Sequence, residues 1–188
     1  GFGNGDYVLQ TSLSLNRNEL ENNDTLSSAQ RIESSSFQAQ LDSGNARDLE
    51  GNGEIPFTSI RGSISTNNDV DFYVISTVLD DEITFDIDYA SNFSVSVDTQ
   101  LFLFDANGTL LTSNDDASTA LGNGGSLSRL DSFIRYTSIS PQAEDLFIAV
   151  SSFNNDASNG GGFNGQGIST GDYILNISKK QKNTVETE

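Results

Sequence analysis

Hydrophobic and polar residues alternate in short runs along most of the chain, which is the pattern of β-strands with one buried face. The runs are rich in Val, Ile, Phe and Tyr, which favour strands, and are separated by Asn, Asp and Gly, which favour turns. Repeated short strands with turns between them predict an all-β fold, an antiparallel β-sandwich of jelly-roll type. The predicted strands span residues 69–78, 81–90, 93–111, 132–140, 145–153 and 171–178.

The segments between the strands contain one clear turn and one helical candidate. The Asn-Gly pair within residues 105–108 predicts a hairpin, because both residue types tolerate a positive φ between two apolar runs. Residues 23–32 are the single candidate for a short helix, with Asn23 or Asp24 as its N-cap. The fold is therefore expected to contain at most one short helix.

Two segments are predicted to be loops. Residues 34–57 are polar and interrupted by Gly and Pro, and a strand inside them is compatible with the pattern. Residues 154–170 are rich in Gly and Asn and predict a long, mobile connection between two strands. Phe163 lies within the second loop. Its side chain is expected to pin the loop onto the sheet, the alternative being an exposed recognition residue.

Composition narrows the chemistry that this chain can support. Its 188 residues include 27 acidic and nine basic side chains, a net charge of −18, which argues against nucleic acids and anionic membranes as partners. Cys and His are absent, which excludes disulfides, thiolate or imidazole metal sites, and catalytic dyads or triads that use His. No apolar run is long enough for a transmembrane helix. Oxygen ligands remain, and they favour hard cations such as Ca²⁺.

Two acidic clusters in distant parts of the sequence are candidates for such a cation. Glu19, Glu21 and Asn23 project to the same side of an extended segment, which Asp24 follows. The pair formed by Asp69 and Asp71 shares a face at the start of a predicted strand. Ca²⁺ prefers about six to eight oxygen ligands, and the two clusters together could supply them. The alternative for each cluster is a solvated acidic turn.

A third acidic cluster follows the predicted hairpin. It contains Asp105, Asn114, Asp115 and Asp116, which either bind a second Ca²⁺ or simply solvate the end of the hairpin. Asp98 and Asp131 lie at predicted strand starts. They are expected to cap turns or to neighbour this cluster, not to act as primary ligands.

Enzymatic activity is not expected. Asp69 and Asp71 form a carboxylate pair of the kind that glycoside hydrolases use, but the chain has no Trp on which a sugar could stack. A serine nucleophile would lack its usual base, because the chain has no His, and aspartic-protease chemistry would need two carboxylates that share a proton.

The order of several motifs resembles the bacterial pre-peptidase C-terminal domain family. A Glu-Asn-Asn-Asp-Thr opening is followed by a Gly-x-Ile, an Asp-x-Asp-Phe-Tyr strand, a Leu-Phe-Asp-Ala-Asn-Gly hairpin, an Asn-Asp-Asp and a terminal Gly-Asp-Tyr-x-Leu strand. The resemblance extends over about residues 18–178. The matching residues are Glu21, Asn23, Asp24, Thr25, Ala29, Gly62, Ile64, Asp69, Asp71, Phe72, Tyr73, Asp105, Asn107, Gly108, Asp115, Asp116, Gly171, Tyr173 and Leu175.

This resemblance implies a β-sandwich of the kind appended to secreted proteases and adhesins. The similar collagen-binding domains of clostridial collagenases bind Ca²⁺ through the N-terminal acidic segment and the start of the Asp-x-Asp strand. A backbone carbonyl of Arg61 or Gly62 is a further candidate ligand. Residues 34–57 are longer than is usual for the family, and no collagen-binding aromatic face maps onto this chain. By the same likeness, the side-chain Ca²⁺ ligands are Glu19, Glu21, Asn23, Asp24, Asp69 and Asp71.

The Gly-Asp-Tyr motif occurs at both ends of the chain. Residues 5–12 and 171–178 share five of eight positions, and within the resemblance the second copy is the family's last strand. Residues 1–14 are therefore interpreted as the tail of a preceding related module, or as part of a split domain whose strand pairs along this sandwich. Residues 15–180 form the predicted sandwich, and residues 181–188 a linker or tail.

The sequence thus predicts a non-catalytic Ca²⁺-binding β-sandwich of an exported bacterial multidomain protein, a structural or ligand-presenting module in adhesion. Its expected partners are neighbouring domains of the same chain, with an extracellular protein or glycan as a further candidate. Two alternatives are a protein- or glycan-binding module like a collagen-binding domain, and a C-terminal domain associated with a protease. An exposed aromatic patch on one sheet would favour the first alternative.

Overall fold

The computed structural model describes residues 17–37, 55–88, 97–121 and 128–181. Within these ranges the chain forms two five-stranded sheets and one two-stranded ribbon, with two single turns of 3₁₀ helix. The strands are β1 (Arg17–Asn18), β2 (Gln30–Arg31), β3 (Phe57–Ile64), β4 (Val70–Thr77), β5 (Glu82–Asp88), β6 (Thr99–Phe104), β7 (Leu110–Asn114), β8 (Phe133–Thr137), β9 (Glu144–Ser152), β10 (Ala157–Ser158), β11 (Gly162–Phe163) and β12 (Gly171–Lys180). The 3₁₀ turns span Leu26–Ser28 and Ser34–Ser36.

The two large sheets pack as a sandwich, which confirms the predicted fold class. The first sheet has the strand order β1-β3-β12-β5-β8, and the second has the order β2-β4-β9-β6-β7. The long strands pair antiparallel, as predicted. The two shortest edge strands differ, because β1 pairs with β3, and β2 with β4, in parallel. The sheets are therefore mixed at one edge, where the N-terminal segment joins them.

The core between the sheets is built from alternate positions of each strand. On β4 the inward positions after Asp71 are Tyr73 and Ile75, and both are fully or almost fully buried. On β12 the inward positions include Tyr173 and Leu175. The core is dominated by aliphatic residues. These are Ile32, Ile60, Ile64, Ile75, Ile83, Ile87, Val97, Leu101, Leu103, Ile134, Leu146, Ile148, Val150, Leu175 and Ile177.

A second apolar cluster covers the outer face of the second sheet. Phe72, Phe102 and Phe104 point away from the sandwich core and are buried by the connection from β9 to β12, residues 153–170. Phe163 of this connection meets Phe72 and Phe102 edge to face, with ring centroids 5.8 and 5.3 Å apart. The 153–170 connection, predicted to be a featureless loop, therefore contains the β10–β11 ribbon, and Phe163 pins it to the sheet.

Replacing Phe163 with alanine is expected to lower the free energy of unfolding by about 2 kcal/mol, because two ring contacts and much of the cover over the outer face are lost. Urea unfolding at a fixed calcium concentration measures this change. Phe153→Ala is the matched control. Phe153 begins the same connection but is 37% exposed, and its replacement should cost less than about 0.5 kcal/mol. Equal effects of the two replacements would contradict the pinning role of Phe163.

The predicted helix in residues 23–32 is wrong. Only one 3₁₀ turn forms there, and its N-cap is Thr25, whose hydroxyl accepts a hydrogen bond from the Ser28 backbone N–H. Serines at positions 27 and 28 bond to Thr25 instead of supporting a longer helix. The chain then extends because Gln30 and Arg31 pair with β4. The hydrogen bonds of this strand pairing replace those that a longer helix would have made.

The strand predictions agree with the structure apart from their ends, the omission of one long strand and the omission of the four two-residue strands β1, β2, β10 and β11. The predicted strand at 93–111 is two strands, β6 and β7, joined by the predicted turn with Gly108 at a φ of 78°. The pattern missed β3, whose residues Phe57–Ile64 were assigned only to a loop end and a Gly-x-Ile motif. Residues 1–14 and 182–188, with the interpretations attached to them, lie outside the described residues. No helix in the described ranges is long and apolar enough to cross a bilayer.

Candidate metal centre

Asp71 occupies an inward position of β4, at the end of the core between the two sheets. Its side chain is fully buried. The hydroxyl of Tyr173, from β12 in the opposite sheet, donates a hydrogen bond of 2.7 Å to Asp71 Oδ2. The hydroxyl of Tyr73 lies 2.8 Å from that of Tyr173. A carboxylate is thus held between the sheets by a pair of buried tyrosines.

Gly62 makes this arrangement possible. It lies directly opposite Tyr173 in the β3–β12 pair, so the two residues share a face. A methyl group at position 62 would overlap the hydroxyl end of the tyrosine ring and lie 2.8 Å from its Cε2 atom. The tyrosine ring therefore lies flat across the glycine, and this brings its hydroxyl to Asp71. Sequence reasoning gave neither residue this role, although the Gly-x-Ile and Gly-Asp-Tyr motifs contain them.

The N-terminal segment crosses from one sheet to the other beside Asp71. Glu19 follows β1, and its backbone N–H donates to the Arg61 carbonyl of the first sheet at 2.8 Å. Asn22 adopts a left-handed conformation with a φ of 76°, which Asn tolerates better than most residues. The carbonyl of Asn23 then accepts a hydrogen bond of 3.0 Å from the Phe72 backbone N–H of the second sheet. This crossing brings Glu19 and Asn23 to the buried carboxylate.

Glu19 and Asp71 place two carboxyl groups within hydrogen-bonding reach of each other. Glu19 Oε2 accepts a hydrogen bond of 2.7 Å from the Ser63 backbone N–H, but Glu19 Oε1 is buried without a hydrogen-bond donor. Asp71 Oδ1 is likewise buried without a donor. Both polar atoms of the Asn23 side chain, which is 1% exposed, also have no partner among the described residues. Glu19 and Asp71 therefore present unsatisfied oxygens at one buried position, and the unpartnered Asn23 side chain belongs to the residue whose backbone bonds to Phe72, next to Asp71.

The electrostatics of this position are unfavourable without a further partner. Burial, and then the neighbouring Glu19 carboxylate, raise the pKa of Asp71 well above its usual value, against the opposing hydrogen bond from Tyr173. None of the ion pairs among the described residues involves Glu19 or Asp71; these pairs are Arg31–Asp145 and Lys179–Asp81. Two carboxylates in this position require either a shared proton or a bound cation.

The other predicted ligands lie around Glu19 and Asp71, and their side chains are more exposed to solvent than that of Asp71. Asp69 is 8% exposed, and its Oδ2 accepts a hydrogen bond from the Ser65 backbone N–H. Glu21 and Asp24 are exposed at the rim. The charge of Glu19, then burial, and then Asp69 and Asp24 raise the pKa of Glu21, which shows that the four acids share one negative field. A groove of about 270 Å³ opens beside Glu19 and Glu21 and reaches Tyr173.

A hard cation fits this donor set. The ligand atoms are carboxylate and amide oxygens, and some of them are buried with no other partner. Of the two predicted backbone ligands, the Arg61 carbonyl is already bonded to the Glu19 N–H, and Gly62 supports Tyr173. The set is looser than an ideal cage, because its carboxylates do not form a group of three whose oxygens all lie within 4.8 Å of one another. Water is therefore expected to supply part of the coordination shell.

The structure separates the residues of the third acidic cluster. Asp105 lies at the turn of the β6–β7 hairpin, and its Oδ1 accepts hydrogen bonds from the N–H groups of Asn107 and Thr109. Although partial burial acts in the opposite direction, these bonds lower the pKa of Asp105. Asn114 lies at the far end of the hairpin, opposite Leu101, and its Oδ1 accepts a hydrogen bond from the Phe133 N–H. Asp105 is thus engaged in its own turn, whereas Asn114 stays beside the other two acids, with its Nδ2 donating a hydrogen bond of 3.1 Å to the Asp116 carbonyl and its Oδ1 occupied by the Phe133 N–H.

Asp98, instead of Asp105, groups with Asp115 and Asp116. One oxygen each of Asp98, Asp115 and Asp116 lies within 4.8 Å of the other two, the one such group of carboxylates among the described residues. Burial, and then the charges of Asp116, Asp98 and Asp156, raise the pKa of Asp115 to about 6. The sequence contained a signal for this grouping, because the start of β6 and the end of β7 must meet in an antiparallel hairpin. Sequence reasoning had expected Asp98 to cap a turn or to neighbour this cluster, and had not counted it as a primary ligand.

Comparisons with known proteins give no family. No protein-family model matches the sequence, and no curated protein matches it. Among solved structures, the pre-peptidase C-terminal domain of a collagenase from Bacillus anthracis is 12% identical, with a TM-score of 0.39, over 64% of this chain and 87% of that domain. A periplasmic inhibitor of g-type lysozyme from Aeromonas hydrophila is 10% identical, with a TM-score of 0.43, over 88% of this chain and 99% of the inhibitor. At these low values neither likeness supports a conclusion about function.

Proposed function

We propose that this chain is a non-catalytic β-sandwich module in which a calcium ion, bound at Glu19, Asn23 and Asp71, fastens the N-terminal segment to both sheets. Asp69, Glu21 and Asp24 add negative charge around the ion. The module serves as a structural or ligand-presenting unit of an exported bacterial multidomain protein such as an adhesin. The ion has a structural role: it stiffens the N-terminal segment, where the chain joins the sandwich.

The observation that carries this proposal is that the Glu19 and Asp71 carboxylates lie against each other, each with one buried oxygen, and have no basic partner among the described residues. Moving an unpaired charge into a protein interior costs several kcal/mol even after relaxation. A divalent cation reverses this cost, because it attracts both carboxylates and uses the oxygens that lack donors. The amide oxygen of Asn23 is of the same ligand type. One ion therefore accounts for all three unsatisfied side chains.

The proposed setting follows from the affinity expected of such a site. Exposed acids and an incomplete cage are typical of the weaker calcium modules, which bind with a Kd of about 10⁻⁴–10⁻³ M and work outside the cell. An acidic chain without Cys is compatible with export from a bacterium. At extracellular calcium concentrations such a site is largely filled, and the N-terminal segment is then held in place.

Terbium luminescence tests this site directly. Terbium(III) binds at calcium sites and emits when a tyrosine ring next to it absorbs light. Because the hydroxyl of Tyr173 bonds to Asp71, we expect strong tyrosine-sensitised emission that calcium displaces and that is largely lost in Asp71→Asn. Glu33→Gln is the control, since it removes one exposed carboxylate from the same segment. Emission that is absent, or equally strong in Asp71→Asn, would reject the proposed ion.

A further inference from the structure

A second group of oxygens lies on the outer face of the second sheet, away from the site at Asp71. Asp98 precedes β6, and Asp115 and Asp116 follow β7, so the antiparallel pairing of these strands brings the three acids together. Their nearest carboxylate oxygens lie within 4.8 Å of one another. Asp98 Oδ1 and Asp115 Oδ1 are both buried without a hydrogen-bond donor. Exposed acidic turns are common, so this grouping alone does not establish a site.

Gln100 provides an independent observation. It is only 9% exposed, and its Oε1 atom is buried without a donor. Gln100 shares the outer face of β6 with Asp98, two residues earlier. Across the hairpin, its neighbour Leu101 pairs with Asn114, which places Gln100 beside Asp115. Its Nε2 donates to Asp156 Oδ1 at 3.4 Å, which holds the amide among these acids. A buried amide oxygen without a donor, on the face that carries these carboxylates, is satisfied by a bound cation or its coordinated water.

We propose that Asp98, Asp115, Asp116 and the Gln100 side-chain oxygen bind a second hard divalent cation, with Asp156 as an outer negative charge. Three carboxylates and one amide oxygen are a calcium-type donor set, completed by water. The sequence offered Asp105, Asn114, Asp115 and Asp116 as either a second ion site or a solvated hairpin end; the site proposed here keeps Asp115 and Asp116 and takes Asp98 and Gln100 as the other ligands. This site is separate from the proposed ion at Asp71 and does not depend on it.

The position of the site suggests what the ion does. The Asp98 carbonyl accepts a hydrogen bond of 2.7 Å from the Phe153 N–H, and the Asp98 N–H donates to Ser169 Oγ at 3.0 Å. Asp98 is therefore bonded to both ends of the 153–170 connection. An ion that fixes Asp98 against Asp115 ties this connection to the β6–β7 hairpin. The inference is that the second ion orders the connection that covers the outer face.

Calcium titration of the 188-residue chain, followed by ¹H–¹⁵N NMR spectra, tests the second site. We expect saturable shifts at the backbone amides of Asp98, Asp115 and Asp116 and at the side-chain NH₂ pair of Gln100. The amides of Glu19 and Asp71 report the first site in the same spectra, so the two proposals succeed or fail separately. Asp98→Asn should weaken calcium binding at the second site by about 10- to 100-fold, the range found even for supporting groups of metal sites.

Asp105→Asn is the matched control. It removes one negative charge from the same hairpin, while an asparagine oxygen still accepts the turn hydrogen bonds from Asn107 and Thr109. If Asp98→Asn does not fold, which the dispersion of the spectrum shows, Asp115→Asn replaces it. Absence of saturable shifts at Gln100 and Asp115 in the wild-type chain overturns the proposal. Equal binding by Asp98→Asn and Asp105→Asn also overturns it, because the acids would then act only as a diffuse negative field.

Discussion

Replacing Asp71 with asparagine is expected to remove the calcium-dependent stability that the ion at Asp71 supplies, without weakening the calcium-free form. That ion should contribute about 1.4–2.7 kcal/mol when calcium is present at about 10–100 times its Kd. For a chain of this length, that gain corresponds to a rise in melting temperature of about 3–10 °C. Thermal melting measures the calcium-free protein in chelator and the calcium-bound protein in 10 mM calcium, which is about 10–100 times the expected Kd.

The asparagine is expected to lower stability in calcium but not in chelator, because Asp71 is a ligand in the first condition and a repelled buried charge in the second. In calcium it removes a charged ligand from the ion. In chelator its oxygen still accepts the hydrogen bond from Tyr173, and its amide nitrogen can donate to the Glu19 oxygen that lacks a donor. The repulsion between two buried carboxylates also disappears. The calcium-free variant should therefore melt at or above the temperature of the calcium-free wild type.

Glu33→Gln is again the control for the loss of one negative charge and should leave the calcium response unchanged. A loss of stability in Asp71→Asn that is equal in calcium and in chelator would contradict the proposed ion, since Asp71 would then act only through its hydrogen bond to Tyr173. An unchanged calcium response would contradict it as well. Glu19→Gln provides a second test, because it removes the partner carboxylate of the same pair.

Replacing Gly62 with alanine is expected to destabilise the protein by about 3 kcal/mol, in calcium and in chelator alike. The new methyl group overlaps the ring of Tyr173, which is fully buried between the sheets. The ring must move, and the hydrogen bonds that join the Tyr173 hydroxyl to Asp71 and to the Tyr73 hydroxyl are strained or lost. Urea unfolding measures the loss, and tyrosine-sensitised terbium emission reports whether the ring still lies beside the ion.

A double-mutant cycle separates this specific overlap from a general effect of alanine in a strand. In the background of Tyr173→Leu, which removes the ring, the additional cost of Gly62→Ala should fall to a small fraction of its value in the wild type. Gly162→Ala is the single-site control, because a methyl group there meets nothing nearer than Ser158 Oγ at 3.2 Å. Additive losses in the cycle would show that Gly62 does not serve to accommodate Tyr173.

Most of the long strands could be predicted because their signal is local. Alternation along β4, β5, β9 and β12 marks which side chains enter the core, and the Asn-Gly pair fixes the turn between β6 and β7. The failures occurred where a distant pairing outweighed local preference. Gln30 and Arg31 extend because β4 offers them an edge, and the glycine-rich 153–170 connection is ordered because Phe163 finds Phe72 and Phe102.

The same contrast between local signals and distant contacts applies to the candidate sites. Glu19 and Asp71 could be identified as ligands of one kind, since a chain without His and Cys has only oxygen to offer a metal. The sequence could not show that Asn23 is buried with them, because the turn at Asn22 breaks the extended pattern that had aligned Glu19, Glu21 and Asn23. Nor could it show that Asp98 and Gln100 are better placed than Asp105 and Asn114, which depends on the strand register and on which face each side chain occupies.

The β-architecture, the inward-facing side chains of the long strands and the restriction to oxygen ligands could all be predicted before folding was considered, because each depends on residue type or on the two-residue repeat of a strand. Which acids meet depends instead on the folded chain. Sandwich closure brings the Tyr173 ring over Gly62 to Asp71, and the crossing of the N-terminal segment brings Glu19 beside them. Such proximity between residues far apart in the chain is set by sheet order and strand register, which local preferences do not encode.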